Sequence, residues 1–137
     1  MKRVLVVDSD PRVCQAIHKT LSVISVSVFF AFDAITAISE ARKHNPDVII
    51  VDLSLPAGSG LLVVERLRML SAFMKTPILV MAERGARLEA EHVFEAGANA
   101  FLPKPLNPNL LLQYVGKLLA TEDRQTIWRD VVHSLGR

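Results

Sequence analysis

The chain has 137 residues, half of them apolar and 22% charged, with a formal net charge of +2 at neutral pH. That suits one ordinary domain able to bury a core of its own. So small a charge signals neither nucleic acid nor membrane as a partner, and a single cysteine, Cys14, excludes a disulfide framework.

The opening "MKRVLVVD" has a basic start, but only four apolar residues precede Asp8, too few for a signal-peptide core. No apolar run approaches the length needed to cross a bilayer, so a cytoplasmic domain is expected. "RVLVV" reads as a first strand and runs into Asp8, Ser9 and Asp10; Asp10 followed by Pro11 is a helix start. Cys14 falls in the apolar pattern of that helix and reads as a small buried thiol. "VSVFFA" is a second strand, after which Asp33 caps "AITAISEARK", with Lys43 and His44 placed well for the helix dipole. "DVIIV" is a third strand ending at Asp52, and "DLSLPAGSG" follows it. "PILVM" is a fourth, closed by Ala82 and Glu83, and "ERGARLEAEHVFEAG" a helix of mixed charge. "NAFL" is a fifth, leading to Lys104 in "FLPKP", before Asn107 and Pro108 start "PNLLLQYVGKLLA".

"VIIV" and "ILV" are apolar throughout, as strands of a parallel sheet covered on both faces must be. Strand and helix in alternation predict a doubly wound α/β fold with right-handed crossovers. The expected division is a domain over residues 1–120 and a C-terminal helical tail over 121–137. That tail carries Ile127, Trp128, Val131, Val132 and Leu135 at helical spacing. It is expected either to pack back on the domain or to serve dimerisation or partner contact.

In such a sheet, ligands bind beyond the carboxyl ends of the strands. There stand Asp8, Asp52, Ala82, Glu83 and Lys104. A carboxylate beside a second carboxylate and a lysine can attack phosphorus and become an aspartyl phosphate, given a divalent cation to neutralise the phosphoryl oxygens. Magnesium suits one or two carboxylates plus waters, and lysine acts as a point charge on a phosphoryl oxygen. The proline behind Lys104 offers a site for a cis peptide.

"VVDSDP", "AFDAITAI", "DLSLPAGSG", "PILVMAERG" and "GANAFLPKP" occur in order over residues 2–120. Together they resemble the receiver domain of two-component response regulators. The resemblance implies a flavodoxin-like (βα)5 fold with strand order 2-1-3-4-5. It also implies phosphorelay signalling without enzymatic turnover, with a phosphoryl group taken by Asp52 from a histidine kinase or phosphotransfer protein. On the same basis Asp8, Asp52 and the backbone carbonyl of Ser54 hold magnesium, and Lys104 contacts the phosphate. Ala82 and Phe101 occupy the family's switch positions, and the fourth helix, fifth strand and fifth helix its usual surface for an effector or homodimer. Arg84, Arg87, His92 and Phe101 are then interaction candidates. No direct nucleic-acid or membrane contact is implied.

Two departures from the family pattern stand out. Ser9 replaces the second of two consecutive acids, normally the direct metal ligand, and a neutral hydroxyl is a poor partner for a hard dication. Weak magnesium binding is therefore expected, unless water or Asp10 fills the gap; Asp10 is also the helix cap. Ala82 replaces a threonine or serine whose hydroxyl bonds the phosphoryl group and draws the aromatic residue inward, so weakened switching is expected. Ser59, where an aspartate is often found, is read as turn chemistry. Glu83 is either a solvated loop charge, a repeller of the phosphoryl donor or a partner for Lys104.

Two other readings compete. A pseudo-receiver would use the same fold as a phosphorylation-independent interaction module. A haloacid-dehalogenase-like phosphatase would use Asp8 as nucleophile and Asp10 as general acid, since "DSD" after a strand resembles the start of that family. His18, His44, His92 and His133 lie apart and read as surface histidines, and Arg66, Arg68, Arg124 and Arg129 do not cluster with aromatics.

Overall fold

The computed structural model describes residues 1–83 and 87–120. Strands and helices alternate along the chain: β1 (Lys2–Val7), α1 (Pro11–Leu21), β2 (Val26–Ala31), α2 (Ala34–His44), β3 (Val48–Asp52), α3 (Gly60–Met69), β4 (Ile78–Glu83), α4 (Arg87–Ala96), β5 (Ala100–Lys104) and α5 (Pro108–Ala120). A single 3-10 turn, Ser71–Phe73, leads into β4. The sheet is parallel with order β2-β1-β3-β4-β5, the flavodoxin-like arrangement. α1 packs beside α5, whereas α2, α3 and α4 form a contiguous row. The central strands β3 and β4 are buried along nearly their whole length and β1 from Val4 onward, which explains their unbroken apolar runs.

The capping side chains are where the sequence puts them. Asp10 accepts from the Arg12 N–H at 2.9 Å, Asp33 from Thr36 at 2.7 Å and Asn107 from Leu110 at 3.1 Å. Ser59 is more than turn chemistry: its hydroxyl caps α3, accepting from the Leu62 N–H at 3.1 Å. Asn45 ends α2 in the left-handed region, φ 47°, with its N–H on the Ala41 carbonyl at 2.8 Å.

β3, β4 and β5 extend one or two residues beyond their apolar runs, because the ladder continues through Asp52↔Met81, Ala82↔Pro103 and Glu83↔Lys104. The extension fixes Asp52 and Lys104 on strands rather than on loops. Gly60 lets α3 begin against β3: a Cβ there would strike the Asp52 carbonyl and the Leu53 backbone. The Lys104-Pro105 peptide is cis. The tail expected as a helix over 121–137, with Trp128 and His133, lies outside the described residues, as does Arg84.

Candidate functional site

Asp8, Asp52 and Lys104, 44 or more residues apart in sequence, meet at the carboxyl edge of the sheet. The Lys104 ammonium lies 2.9 Å from Asp8 Oδ2 and 3.3 Å from Asp52 Oδ2, bridging the two carboxylates. Asp8 follows β1 and is held there by its N–H on the Ala31 carbonyl at 3.1 Å. Its other carboxylate oxygen accepts the Asp10 backbone N–H at 2.8 Å. Asp8 is only 1% exposed and Asp52 7%, so Asp52 is the more accessible carboxylate.

Burial sets the electrostatics. It lifts the Asp52 carboxyl above the ordinary value, and the neighbouring Asp8 charge adds to this while Lys104 opposes it. Burial also works against the Lys104 charge, but the hydrogen bond to Asp8 and the two carboxylate charges outweigh it and hold the ammonium above its usual range. Two carboxylates share one cation.

An open cleft of about 360 Å³ covers the cluster, lined by Asp8, Ser9, Asp10, Asp52, Ser54 and Lys104 with Leu53, Ala82 and Glu83 at its walls. A second, more apolar cleft of about 480 Å³ adjoins it between α1 and the start of the β5–α5 connection. Val13, Ala16, Pro105 and Leu106 line that groove together with Asp10, Glu83 and Lys104. The sequence reading missed it. The sole hint was a pair of small apolar residues on one face of α1.

Not every candidate side chain points into the cluster. The Asp10 carboxylate caps α1 and pairs with the exposed Arg12 guanidinium at 3.2 Å, which lowers its carboxyl below the usual range. It has not swung in to replace the acid absent at Ser9. In this arrangement it faces Arg12 rather than the Asp8 carboxylate. Glu83 is exposed at the rim, and the ion pairs of Lys104 go to Asp8 and Asp52 instead. Ala82 reaches the cleft with a methyl group alone, and Phe101 on β5 is packed into the core at 2% exposure. Cys14 is buried as expected, 3.6 Å from the Asp8 carbonyl, and burial pushes its thiol up to about 11.

The histidine expectation needs one correction. His18 and His92 are exposed, but His44 is half-buried, stacked on Phe29 at 3.8 Å and 3.0 Å from Glu40. The last turn of α2 lies over β2, so the ring covers an aromatic that the edge strand leaves open. Arg68, which the sequence marks only as an arginine apart from aromatics, is half-buried. Its guanidinium donates to the Phe73, Thr76 and Gly97 carbonyls and to Asn99 Oδ1, all within 2.9 Å.

The model of the response regulator receiver domain matches residues 4–116, a span that contains the whole cluster. The chain belongs to that family. This receiver is 31% identical over 126 residues to the transcriptional regulatory protein KdpE of Mycobacterium tuberculosis, covering 92% of this chain and 53% of KdpE. It is 34% identical over 133 residues to the response regulator MprA of Mycobacterium bovis, covering 97% of this chain and 55% of MprA. The chain thus spans about half the length of these curated relatives. Among solved structures, a putative response regulator from Chloroflexus aurantiacus superposes with a TM-score of 0.84 at 31% identity, over 88% of this chain and 98% of that one. The chemotaxis response regulator CheY4 of Vibrio cholerae gives 0.81 at 33% identity, over 87% and 99%. The protein is therefore a receiver domain of the two-component type, a class that generally transmits signals without enzymatic turnover.

Receiver domains typically bind Mg²⁺ at the acidic pocket. Here the donor set is reduced: among the described residues no group of three or more His, Cys, Asp or Glu could hold a metal. Two carboxylates still meet the minimum that magnesium accepts with water completing its octahedron, so the set fits, though sparsely. Among the described residues no helix is long and apolar enough to cross a membrane.

Proposed function

We propose that this receiver accepts a phosphoryl group on Asp52 from a phosphohistidine of a histidine kinase or phosphotransfer protein in the cytoplasm. The observation that carries the reading is the bridging ammonium of Lys104, which leaves Asp52 as the more accessible of two carboxylates beneath an open cleft. An Asp52 carboxylate oxygen forms the bond to phosphorus as the bond from phosphorus to the donor imidazole nitrogen breaks, and the imidazole, already protonated on its other ring nitrogen, takes the electron pair and leaves neutral. The product carries more negative charge than the carboxylate it replaces. Lys104, 3.3 Å from Asp52, needs only a small side-chain movement to reach the new phosphoryl oxygens. Magnesium would be held by Asp8, Asp52 and the Ser54 carbonyl, and would supply further neutralisation of those oxygens. With Ser9 exposed beside Asp8, that binding is weak. The apolar groove along α1 supplies a surface over which the donor protein approaches.

Downstream coupling is weak on this reading, because Ala82 offers the phosphoryl group no hydrogen bond and Phe101 is already packed inward. That same pair of observations favours the second reading, a pseudo-receiver that docks without being phosphorylated. Output would pass through α4, β5 and α5.

Intact mass after incubation with Mg²⁺ and a small acyl-phosphate donor separates the readings. A gain of one phosphoryl group that disappears in Asp52→Asn supports the acceptor role. No gain at forcing donor concentration supports the pseudo-receiver.

A further inference from the structure

The two edges of the sheet are built differently. β5 carries Pro103, which has no N–H to offer, and the charged Lys104, both devices that stop an edge from recruiting another strand. β2 has neither. Its sequence, VSVFFA, contains no charge, proline or glycine, and residues 23–32 as a whole carry no ionisable side chain. Among the described residues β2 pairs with β1 alone, and every residue of it except Ala31 is partly exposed. Val23 and Phe32 at its two ends are 73% and 47% exposed.

The hydrogen bonding says which groups face outward. Asp8 N–H donates to the Ala31 carbonyl, so Ala31 turns its backbone toward β1, and by alternation so do Phe29 and Ser27. Val26, Val28 and Phe30 then present theirs to the open edge. The Val26 N–H is already tied to the Ile24 carbonyl at 3.0 Å, which leaves the N–H groups of Val28 and Phe30 and the carbonyls of all three.

We propose that β2 is a homodimerisation edge, paired antiparallel with β2 of a second copy about a two-fold axis through Val28. In that register Val28 exchanges both backbone bonds with its own counterpart. The Phe30 N–H reaches the Val26 carbonyl of the other copy, twice by symmetry, so the local Val26 bond is undisturbed. Val26 then lies opposite Phe30, a pairing of a β-branched with an aromatic residue that favours a sheet, and Ser27 lies opposite Phe29. A strand opposite its own copy normally brings like charges together; an uncharged strand escapes that penalty. Because β5 is blunted, the assembly closes at two copies as one continuous sheet. The face formed by α4, β5 and α5 remains free for other partners.

Sedimentation of the 137-residue chain over a range of concentrations tests this, together with amide exchange at each concentration. The expected result is a monomer-dimer equilibrium, with Val28 and Phe30 amides gaining protection as the dimer forms. Val28→Lys sets two ammonium groups opposite each other and weakens association about tenfold or more, whereas Val28→Thr preserves it. A chain monomeric to about 1 mM overturns the proposal, as does growth beyond the dimer, or a dimer whose protection appears on α4, β5 or α5 instead. Should Val28→Lys fail to fold by circular dichroism, exchange at Val28 and Phe30 in the unaltered chain decides the matter.

Discussion

Two half-buried cations, Lys104 and Arg68, sit near opposite ends of the sheet and are treated in opposite ways. Arg68 spreads its planar fork over the Phe73, Thr76 and Gly97 carbonyls and Asn99 Oδ1, and Asn99 Oδ1 also takes the Ile78 N–H at 2.9 Å. The partners named are neutral and, apart from Asn99, are main-chain groups, and they join α3 to the approaches of β4 and β5 as one fixed unit. Gly97, at φ 118°, is part of it, because a Cβ there would press into the Arg68 side chain. Lys104 instead meets two carboxylates with a single point charge beside open space. A saturated guanidinium holds structure; an ammonium shared between two acids remains available to a third anion. On the proposed function, the chemistry of the partners, more than burial, sets Lys104 apart from Arg68.

Arg68→Ala breaks the structural half of this contrast and has the largest expected effect. Losing the fork takes a charged donor from three partly buried carbonyls and from Asn99 at once, and we expect a loss of about 3–4 kcal/mol in urea unfolding. Phosphoryl uptake by the folded fraction should be unchanged. Lys104→Met breaks the other half, with an expected loss of about 3 kcal/mol at neutral pH, since it leaves two adjacent carboxylates without their cation. The cleft admits water to them, which is why the loss is smaller. Its pH dependence has a definite sign: the raised Lys104 value gives stability that is fully present below the unfolded lysine value of 10.5 and disappears as pH climbs through the native one. The difference between wild type and Lys104→Met should therefore narrow in strong alkali. Unfolding midpoints measured from pH 7 to 12 would show it.

Ser9→Asp sharpens the comparison by giving the pocket a further carboxylate for a metal, which otherwise competes with Lys104 for Asp8 and Asp52. We expect Mg²⁺ affinity to rise about tenfold, or about 1.4 kcal/mol, read by calorimetric titration. Affinity unchanged by the added acid would mean that Asp8 and Asp52 already complete the donor set.

The convergence of Asp8, Asp52 and Lys104 was legible because each ends or follows a strand, and a parallel sheet gathers such residues at one edge. The caps at Asp10, Asp33 and Asn107 were legible because side-chain chemistry and the following prolines act locally. What the sequence concealed depends on neighbours distant in the chain. Arg68 looks like any helix-surface arginine until Gly97 and Asn99, 29 and 31 residues away, come to lie against it. His44 looked solvated because the aromatic it covers belongs to another element. Glu83 follows its strand as directly as Asp52 ends β3, and only the bridge to Asp8 and Asp52 shows which acids Lys104 selects. The bareness of β2 was written in VSVFFA, but it acquires meaning only when the strand order puts it at an edge.

The smallest effect examines whether the shared cation fully compensates the pair. Burial and the Asp8 charge raise Asp52 above its unfolded value of 3.8, so the native state holds that proton more tightly than the unfolded chain does. Stability is then lost as pH rises through the interval from 3.8 upward, and at pH 7 the ionised carboxylate is a cost to the fold. Asp52→Asn removes the charge while keeping the shape, and leaves Lys104 its shorter bond, 2.9 Å, to Asp8. We expect Asp52→Asn to be about 1 kcal/mol more stable than wild type at pH 7, and no more stable below about pH 3, where wild type is itself protonated. Urea denaturation at the two pH values reads both numbers. Should Asp52→Asn prove less stable at pH 7, the attraction of Lys104 for Asp52 would exceed the cost of burying it. The ammonium would then be a fixed partner of the second carboxylate, as Arg68 is of its carbonyls, and the distinction between the two cations would fail.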